Sequence, residues 1–224
     1  MITDPALAPT RFLDSDTPAL RDFALESAGK GSDRDRAVRL YRAVRDGIRY
    51  DPYSFRVNPR IFVASHCLTA PSAFCVPKAI LLSAAARAAG IPARVGFADV
   101  RNHLSSPKLS AMMGSDVFRW HGYSLLQIDG KWVKATPAFD IGLCDRFGVH
   151  PLDFDGTEDS IYHPYDTAGR RHMEYVSEVG VFDEFPFDRF AADMRRHYPA
   201  MLARLEELDR TNARAEDSAF SGTA

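Results

Sequence analysis

The residues of this chain best suited to covalent chemistry are a cysteine, Cys75, and a histidine further along, His121. Cys75 directly precedes a stretch typical of a helix, with Pro77 in the first predicted turn and Gly90 just past its end. Unpaired N–H groups and the positive end of the dipole favour an anion at a helix N-terminus, so we expect a lowered pKa for the Cys75 thiol. A thiolate nucleophile with His121 as base predicts acyl-transfer chemistry.

His121 lies in a segment whose pattern predicts a β-hairpin. Residues 118–128 and 131–139 are typical of two strands, and the Asp129-Gly130 dipeptide between them is typical of a two-residue turn. If that dipeptide closes the hairpin, Ile128 pairs with Lys131 and the register of every later pair is fixed. The hairpin thereby predicts which side chains surround the histidine.

In that register, His121 faces Ala138, and Tyr123 faces Thr136. Side chains two apart on a strand share a face, so Thr136 and Asp140 become the diagonal neighbours of His121. A catalytic histidine needs a third group that fixes its tautomer and stabilises the imidazolium. Asp140 carries the suitable charge but follows a proline, where pairing is interrupted. Thr136 has the better register but offers only a neutral hydroxyl, and both are candidates for the third position.

The surrounding segments predict an α+β fold, with helices packed on an antiparallel sheet. Helices are predicted from Thr17-Pro18, from Ser32 or Asp33 to Ile48, after Cys75, and from Asp188 onward with an interruption at Pro199. A further strand is predicted at 93–100. The connecting ranges are predicted to be irregular at 50–69, a mobile loop near the site at 101–116, and turn-rich at 141–187.

Composition excludes several classes of function. The chain has 224 residues and a formal net charge of -2, which provides no general field for nucleic acid or an anionic membrane. No apolar run approaches the roughly 20 residues that a membrane helix needs. The first residues lack the basic and apolar regions of a secretory signal. We therefore expect a cytoplasmic protein with neither nucleic acid nor membrane as partner.

The three cysteines, Cys67, Cys75 and Cys144, predict free thiols, because an odd number in a chain of this size is not typical of a disulfide framework. A zinc site is the competing interpretation, since His66-Cys67 lies close to Cys75 in sequence. No paired ligand spacing accompanies these residues, so we expect no metal and no cofactor. Cys67 and Cys144 are interpreted as buried core thiols.

Two stretches of the chain resemble the transglutaminase-like superfamily. They are Phe74-Cys75 before a helix that ends in Ala88-Ala89-Gly90-Ile91-Pro92-Ala93-Arg94, and Trp120-His121-Gly122-Tyr123 leading through Asp129-Gly130-Lys131-Trp132-Val133 to Thr136-Pro137. The resemblance covers roughly residues 35–140. It implies a papain-like α+β core with a Cys–His–Asp triad, in which Cys75 is the nucleophile and His121 the base. The family's aspartate falls on Thr136, so this chain departs from the pattern at the third position.

The resemblance also implies a function. A thiolate attacks the carbonyl of a peptide, protein or small amide, a thioester forms, and the N–H of Cys75 stabilises the oxyanion. Hydrolysis by a peptidase or amidase is favoured. The alternatives are acyl transfer to an amine, of the protein-glutamine or arylamine type, and a non-catalytic binding module that has lost the third residue of the triad.

The predicted organisation along the chain has four parts. They are an N-terminal arm and helix at 1–32, a transglutaminase-like core at 33–140, an extension packed on the core at 141–210, and a disordered tail at 211–224. The oligomeric state is left open by the sequence.

Overall fold

The computed structural model describes residues 4–103, 105–161, 166–170 and 172–221, with side chains described as far as residue 211. Within these residues the chain forms an α+β fold, as the sequence predicts. The helices are α1 (Pro18–Ala28), α2 (Asp33–Gly47), α3 (Ala64–Thr69), α4 (Cys75–Ala88), α5 (Pro107–Met113), α6 (Ile141–Phe147), α7 (Phe187–His197) and α8 (Pro199–Ser221). The strands are β1 (Ala93–Asn102), β2 (Val117–Ile128), β3 (Lys131–Ala135) and β4 (Met173–Phe182).

The four strands form one antiparallel sheet in the order β3-β2-β1-β4. The turn between β2 and β3 has positive φ at both central residues, 51° at Asp129 and 79° at Gly130, which matches the right-handed twist of the strands it joins. Ile128 pairs with Lys131, and the ladder continues to Ser124 and Ala135. The predicted register of the hairpin is confirmed over this length.

Strand β3 ends earlier than predicted, so the pairing of His121 with Ala138 does not form. After Ala135, the N–H of Thr136 donates to the carbonyl of Ser160 at 2.8 Å and no longer to β2. Pro137 follows immediately and has no N–H, so it cannot extend a ladder. Thr136 is consequently placed by a contact with the later chain, which the hairpin register does not include.

Helix α4 lies in the centre of the fold. It contacts α1, α2 and α3 on one side and β1 and β2 on the other. Apolar residues lie on all of its faces, and even Lys78, Ser83 and Arg87 are buried, which is typical of a helix in the centre of a protein. The N-terminus of α4 therefore meets β2 in the interior of the protein.

Three ranges contain more regular structure than predicted. Two 3-10 turns and α3 lie in 50–69, α5 lies in 101–116, and α6 and β4 lie in 141–187. The prediction of a loop at 101–116 is wrong, because Ser106 caps α5 by accepting the N–H of Leu109 at 3.2 Å and Gly114 ends it with φ 64°. A Ser-Pro start and a glycine end were thus readable signals for a short helix.

The C-terminal part of the chain packs on the core through α7 and α8. The helix predicted from Asp188 is confirmed, and Pro199 begins a second helix where the first one ends. Helix α8 reaches Ser221, inside the range 211–224 for which we predict disorder, and residues 222–224 lie outside the described residues. The tail and the four-part organisation stay predictions.

Candidate active site

Cys75 occupies the first helical position of α4, after Phe74 in an extended N-cap conformation. The main-chain N–H groups of Val76 and Gly122 are placed so that they lower the pKa of its thiol. Gly122 permits this arrangement, since a Cβ there would lie 2.9 Å from the Cα of Val76. A glycine in β2 thus brings the strand against the start of the helix, and the sulfur lies where the two meet.

The predicted lowering of the Cys75 pKa is wrong for the protein without substrate. Burial away from water disfavours the thiolate and is the largest influence, and it raises the pKa of Cys75 to about 11. The N–H groups at the helix start act in the opposite direction but are outweighed. The thiol is therefore neutral near pH 7 and needs a base to become a nucleophile.

His121 precedes Gly122 in β2 and is buried, with 5% of its surface exposed. A β-bulge in β2 just before His121 determines the face of the sheet to which its side chain points. Ala98 pairs with His121 but Val100 pairs with Phe118, so two residues of β2 lie opposite Asp99 alone. The extra residue shifts the alternation of side chains between the two faces of the strand.

Asp99 holds this bulge through both of its carboxylate oxygens. One accepts the main-chain N–H of Trp120 at 3.1 Å, and the other accepts the guanidinium of Arg119 at 2.7 Å. Trp120 has φ 59°, a left-handed conformation that is uncommon for a bulky side chain. The position of His121 thus depends on a carboxylate that sequence reasoning missed, and no local pattern pointed to it.

Cys75 and His121 line the same cavity, which has a volume of about 70 Å³. A larger cavity of about 580 Å³ adjoins it and also reaches His121, although Cys75 does not line it. Four other residues line both cavities: Tyr50, Pro52, Leu109 and Phe118. The structure therefore brings the predicted nucleophile and base to one place, at the inner end of a space large enough for a small molecule.

The cavity around Cys75 is covered by residues that the sequence analysis did not connect with the site. Two come from α5, and the others from α7, α8 and the residue between them: Leu109, Met113, Phe190, Met194, Tyr198 and Met201. All are apolar or aromatic. The C-terminal extension thus contributes to the burial that raises the thiol pKa.

Thr136 is buried and faces the same region as His121. Both residues line a void of about 10 Å³, together with apolar side chains. The main chain of Thr136 is held by Ser160 and by the hydroxyl of Tyr41, which donates to its carbonyl at 3.2 Å. Its own hydroxyl has no hydrogen-bond partner among the described residues. Thr136 therefore lies beside His121, and no hydrogen bond to a described residue holds its hydroxyl in place.

Asp140 is the N-cap of α6, and both of its carboxylate oxygens accept main-chain N–H groups. One bonds Leu143 at 2.9 Å and the other bonds Tyr50 at 2.7 Å. Burial acts to raise the pKa of Asp140, but these bonds and the charge of Lys78 lower it overall. A part for Asp140 in orienting His121 stays a prediction. Its described contacts hold α6 and the Tyr50 segment in place.

Lys78, one turn after Cys75, is fully buried beneath the site. Its ammonium donates to the carbonyls of Arg45 at 2.8 Å and Ile48 at 2.5 Å, at the end of α2. Burial lowers the pKa of Lys78 to about 8, while the charge of Asp140 acts to raise it. This lysine joins the end of α2 to the start of the cysteine-bearing helix.

The three cysteines are free, and Cys67 and Cys144 are buried as predicted. Among the residues that the structure describes, no group of three or more His, Cys, Asp or Glu side chains is arranged to hold a metal ion. In the same part of the chain, none of the helices combines the length and the apolar character needed to cross a bilayer.

Comparison with known proteins identifies one family. The family model described as the transglutaminase-like superfamily matches residues 21–137 of this chain. No curated protein matches the chain. A 1.9 Å crystal structure of a protein from Cytophaga hutchinsonii, provisionally described as a cysteine protease, is 19% identical with a TM-score of 0.46. The similarity covers 79% of this chain and 53% of that one, so this chain spans about half the length of that protein.

Proposed function

Because the chain belongs to the transglutaminase-like superfamily, we propose that it is a cysteine enzyme acting on amide and related acyl carbonyls through a thioester on Cys75. One observation carries the proposal. Cys75 is the first residue of a buried helix, and its sulfur shares a cavity with His121 of the neighbouring strand. A nucleophile at a helix N-terminus beside a base is the arrangement that this chemistry requires.

In the proposed reaction, the proton of the Cys75 thiol passes to the imidazole of His121. The sulfur electron pair forms the C–S bond, and the carbonyl π pair moves onto oxygen, where the N–H of Cys75 stabilises the negative charge. When the carbonyl re-forms, the C–N bond breaks and the amine leaves with the proton from His121. Water, deprotonated by His121, then attacks the thioester and releases the acid and the thiol.

The raised pKa of Cys75 gives His121 a specific task. A thiol with a pKa of about 11 is almost entirely protonated near pH 7, so attack requires proton transfer to a base within the site. For the third position we propose Thr136 as the neighbour of the imidazole, because it lines the same small void. A neutral hydroxyl stabilises an imidazolium less than a carboxylate does, so we expect slow turnover.

A second candidate function is a binding module without catalysis. The raised pKa of Cys75 and the neutral side chain at Thr136 both favour it. It predicts a thiol that is no more reactive toward acyl donors than an ordinary buried cysteine. Transfer of the acyl group to an amine shares its first half with hydrolysis, so the two reactions separate only at the second step.

Acylation with a p-nitrophenyl ester tests the proposal. We expect a burst of p-nitrophenol and an acyl group located on Cys75 by mass spectrometry, and hydroxylamine should release that group as a hydroxamate, because it cleaves a thioester. Cys75→Ala should abolish the burst, and His121→Ala should slow it by about 10²-fold or more. Cys67→Ala is the matched control and should leave it unchanged.

The third position is tested in the same assay. Thr136→Asp places a carboxylate of similar volume beside His121 and should accelerate the acylation, whereas Thr136→Val removes the hydroxyl from the third position and should slow it. Acylation of Cys75 no faster than that of Cys67 and Cys144 would instead assign the protein to the binding modules.

A further inference from the structure

We propose that the cavity of about 580 Å³ beside His121 binds the acyl donor, and that this donor combines an apolar or aromatic body with a carboxylate. The inference rests on the proposed function, since it assigns a substrate class to the same site. It is carried by the lining and the charges of the cavity.

The lining of the cavity is largely apolar, and aromatic rings are prominent in it: Tyr50, Tyr53, Phe118, Phe139 and Phe147. Tyr50 and Phe139 pack edge to face, with ring centroids 4.8 Å apart. A volume of this size lies within the range of cavities that enclose drug-sized ligands. An aromatic or aliphatic body fits these rings, because it buries their apolar surface without leaving polar groups unpaired.

The charges around the cavity are predominantly positive. Arg49, Lys108 and Arg146 line it, and Asp51 is the one carboxylate among its lining residues in the described part of the chain. Asp51 lies 3.6 Å from the guanidinium of Arg49. That pairing leaves the charges of Lys108 and Arg146 without a counterion in the lining.

Lys108 and Arg146 come from two different helices, α5 and α6. The ammonium of Lys108 lies 5.0 Å from the ring centre of Tyr53. The guanidinium of Arg146 lies near the Asp140 carboxylate, since a Cβ at Gly142 would be 3.2 Å from Asp140 Oδ1 and 3.6 Å from Arg146 Nη1. A lysine beside an aromatic ring, with an arginine elsewhere in the lining, is suited to a carboxylate on an apolar ligand. The cavity therefore complements a monoanion with an apolar body.

The position of the cavity relative to Cys75 supports a substrate that spans both spaces. His121 and Tyr50 line the large cavity and also the small one, which Cys75 lines. A donor seated with its apolar body in the large cavity places its carbonyl toward His121. The small cavity of about 70 Å³ is too small for the donor itself, so it receives only the reacting group.

Equilibrium binding to a Cys75→Ser protein tests the inference without any need for turnover. The ligand is dansyl-L-phenylalanine, which carries aromatic rings and one carboxylate, and its uncharged carboxamide is the matched comparison. Followed by dansyl fluorescence, we expect the carboxylate to bind about tenfold more tightly than the carboxamide. High salt should reduce the difference.

Two variants test whether Lys108 and Arg146 cause the preference for the carboxylate. Lys108→Gln combined with Arg146→Gln should bring the carboxylate to the affinity of the carboxamide and leave carboxamide binding unchanged. Arg196→Gln, on the exposed surface of α7, removes an arginine outside the cavity and should preserve the preference. Thermal unfolding of each variant verifies that it is folded.

Equal affinity for the two ligands in the parent protein would overturn the inference, and so would a preference that survives in the double variant. A preference lost equally in Arg196→Gln would also overturn it, because general surface charge would then be the cause. Failure of the proposed function is separate. A protein with the carboxylate preference but no acylation of Cys75 retains the binding site and loses only the enzymatic role.

Discussion

The Cys75 thiol is subject to two opposing influences, and the structure decides which is larger. Its position at a helix start and the N–H groups of Val76 and Gly122 lower its pKa. Burial beneath α5, α7 and α8 acts in the opposite direction and prevails, so the pKa is about 11. A sequence shows the first influence directly, because the helix start is a local pattern. The second comes from side chains distant in the chain.

Alkylation by iodoacetamide measures this balance. Because only the thiolate reacts, we expect the labelling rate of Cys75 in the His121→Ala protein to rise about tenfold per pH unit until the pH approaches about 11. Cys75 should be labelled before Cys67 and Cys144, which are buried. A rate that already levels off near pH 7 would contradict the raised pKa and would indicate a stabilised thiolate.

The junction between α4 and β2 is the contact between elements on which the site depends most. Gly122 lets the strand approach the first turn of the helix, and the bulge held by Asp99 directs the residue before it. Lys78 fastens the same helix to the end of α2. The first two contacts therefore fix the relation between the sulfur and the imidazole, and the third holds the helix against α2.

Gly122→Ala tests the close approach. The added Cβ would lie 2.9 Å from the Cα of Val76, so helix and strand must separate, and we expect a loss of about 1–3 kcal/mol in the free energy of unfolding. Burst acylation of Cys75 should also fall. Chemical denaturation measures the first effect and the p-nitrophenol burst the second.

Gly47→Ala is the matched control for that substitution. Gly47 is the last residue of α2, and a Cβ there meets nothing within 4 Å. Alanine is the better helix former, so the change should leave stability equal or raised by up to about 1 kcal/mol. If both alanine variants behave alike, the junction does not depend on the missing side chain.

Taken as a whole, the protein shields several weakly acidic groups from water, the thiols of Cys67 and Cys144 fully and that of Cys75 in part. Burial raises the pKa of Cys67 to about 12, and the pKa of Cys144 and that of Cys75 each to about 11, from an ordinary value of 9.0. Each is protonated in the fold at a pH where it has ionised in the unfolded chain. Their neutral forms therefore link stability to pH.

The expected result is a loss of stability in alkali. Since the folded pKa values exceed the unfolded value, the stabilisation is fully present below pH 9.0 and is lost as the pH rises toward 11–12. The limiting slope is about 1.4 kcal/mol per pH unit for each thiol. Lys78 has the opposite effect on stability between about pH 8 and 10.5, because burial lowers the pKa of this lysine. It is a single group, whereas the three thiols act together to lower the stability.

Urea unfolding across this pH range checks the linkage. Cys67→Ala with Cys144→Ala lowers stability at every pH, but it should also make the alkaline slope shallower, because two of the three thiols are gone. If the free energy of unfolding fell with pH as steeply as in the parent protein, groups other than these thiols would cause the loss of stability in alkali.

The sequence by itself determined the local features of this protein. The start of α4 at Cys75 follows from a proline and a glycine at fixed places, and the hairpin register follows from Asp129-Gly130, because turn chemistry and strand alternation act over a few residues. The family also follows from these motifs, in their order and spacing.

The tertiary structure decided what surrounds those residues. The bulge at Asp99, the void shared by Thr136 and His121, and the helices that cover Cys75 all arise from contacts between distant parts of the chain. Burial and the pKa values that follow from it depend on how much water such contacts exclude. No run of neighbouring residues encodes that quantity, so the reactivity of the thiol became readable only from the folded protein.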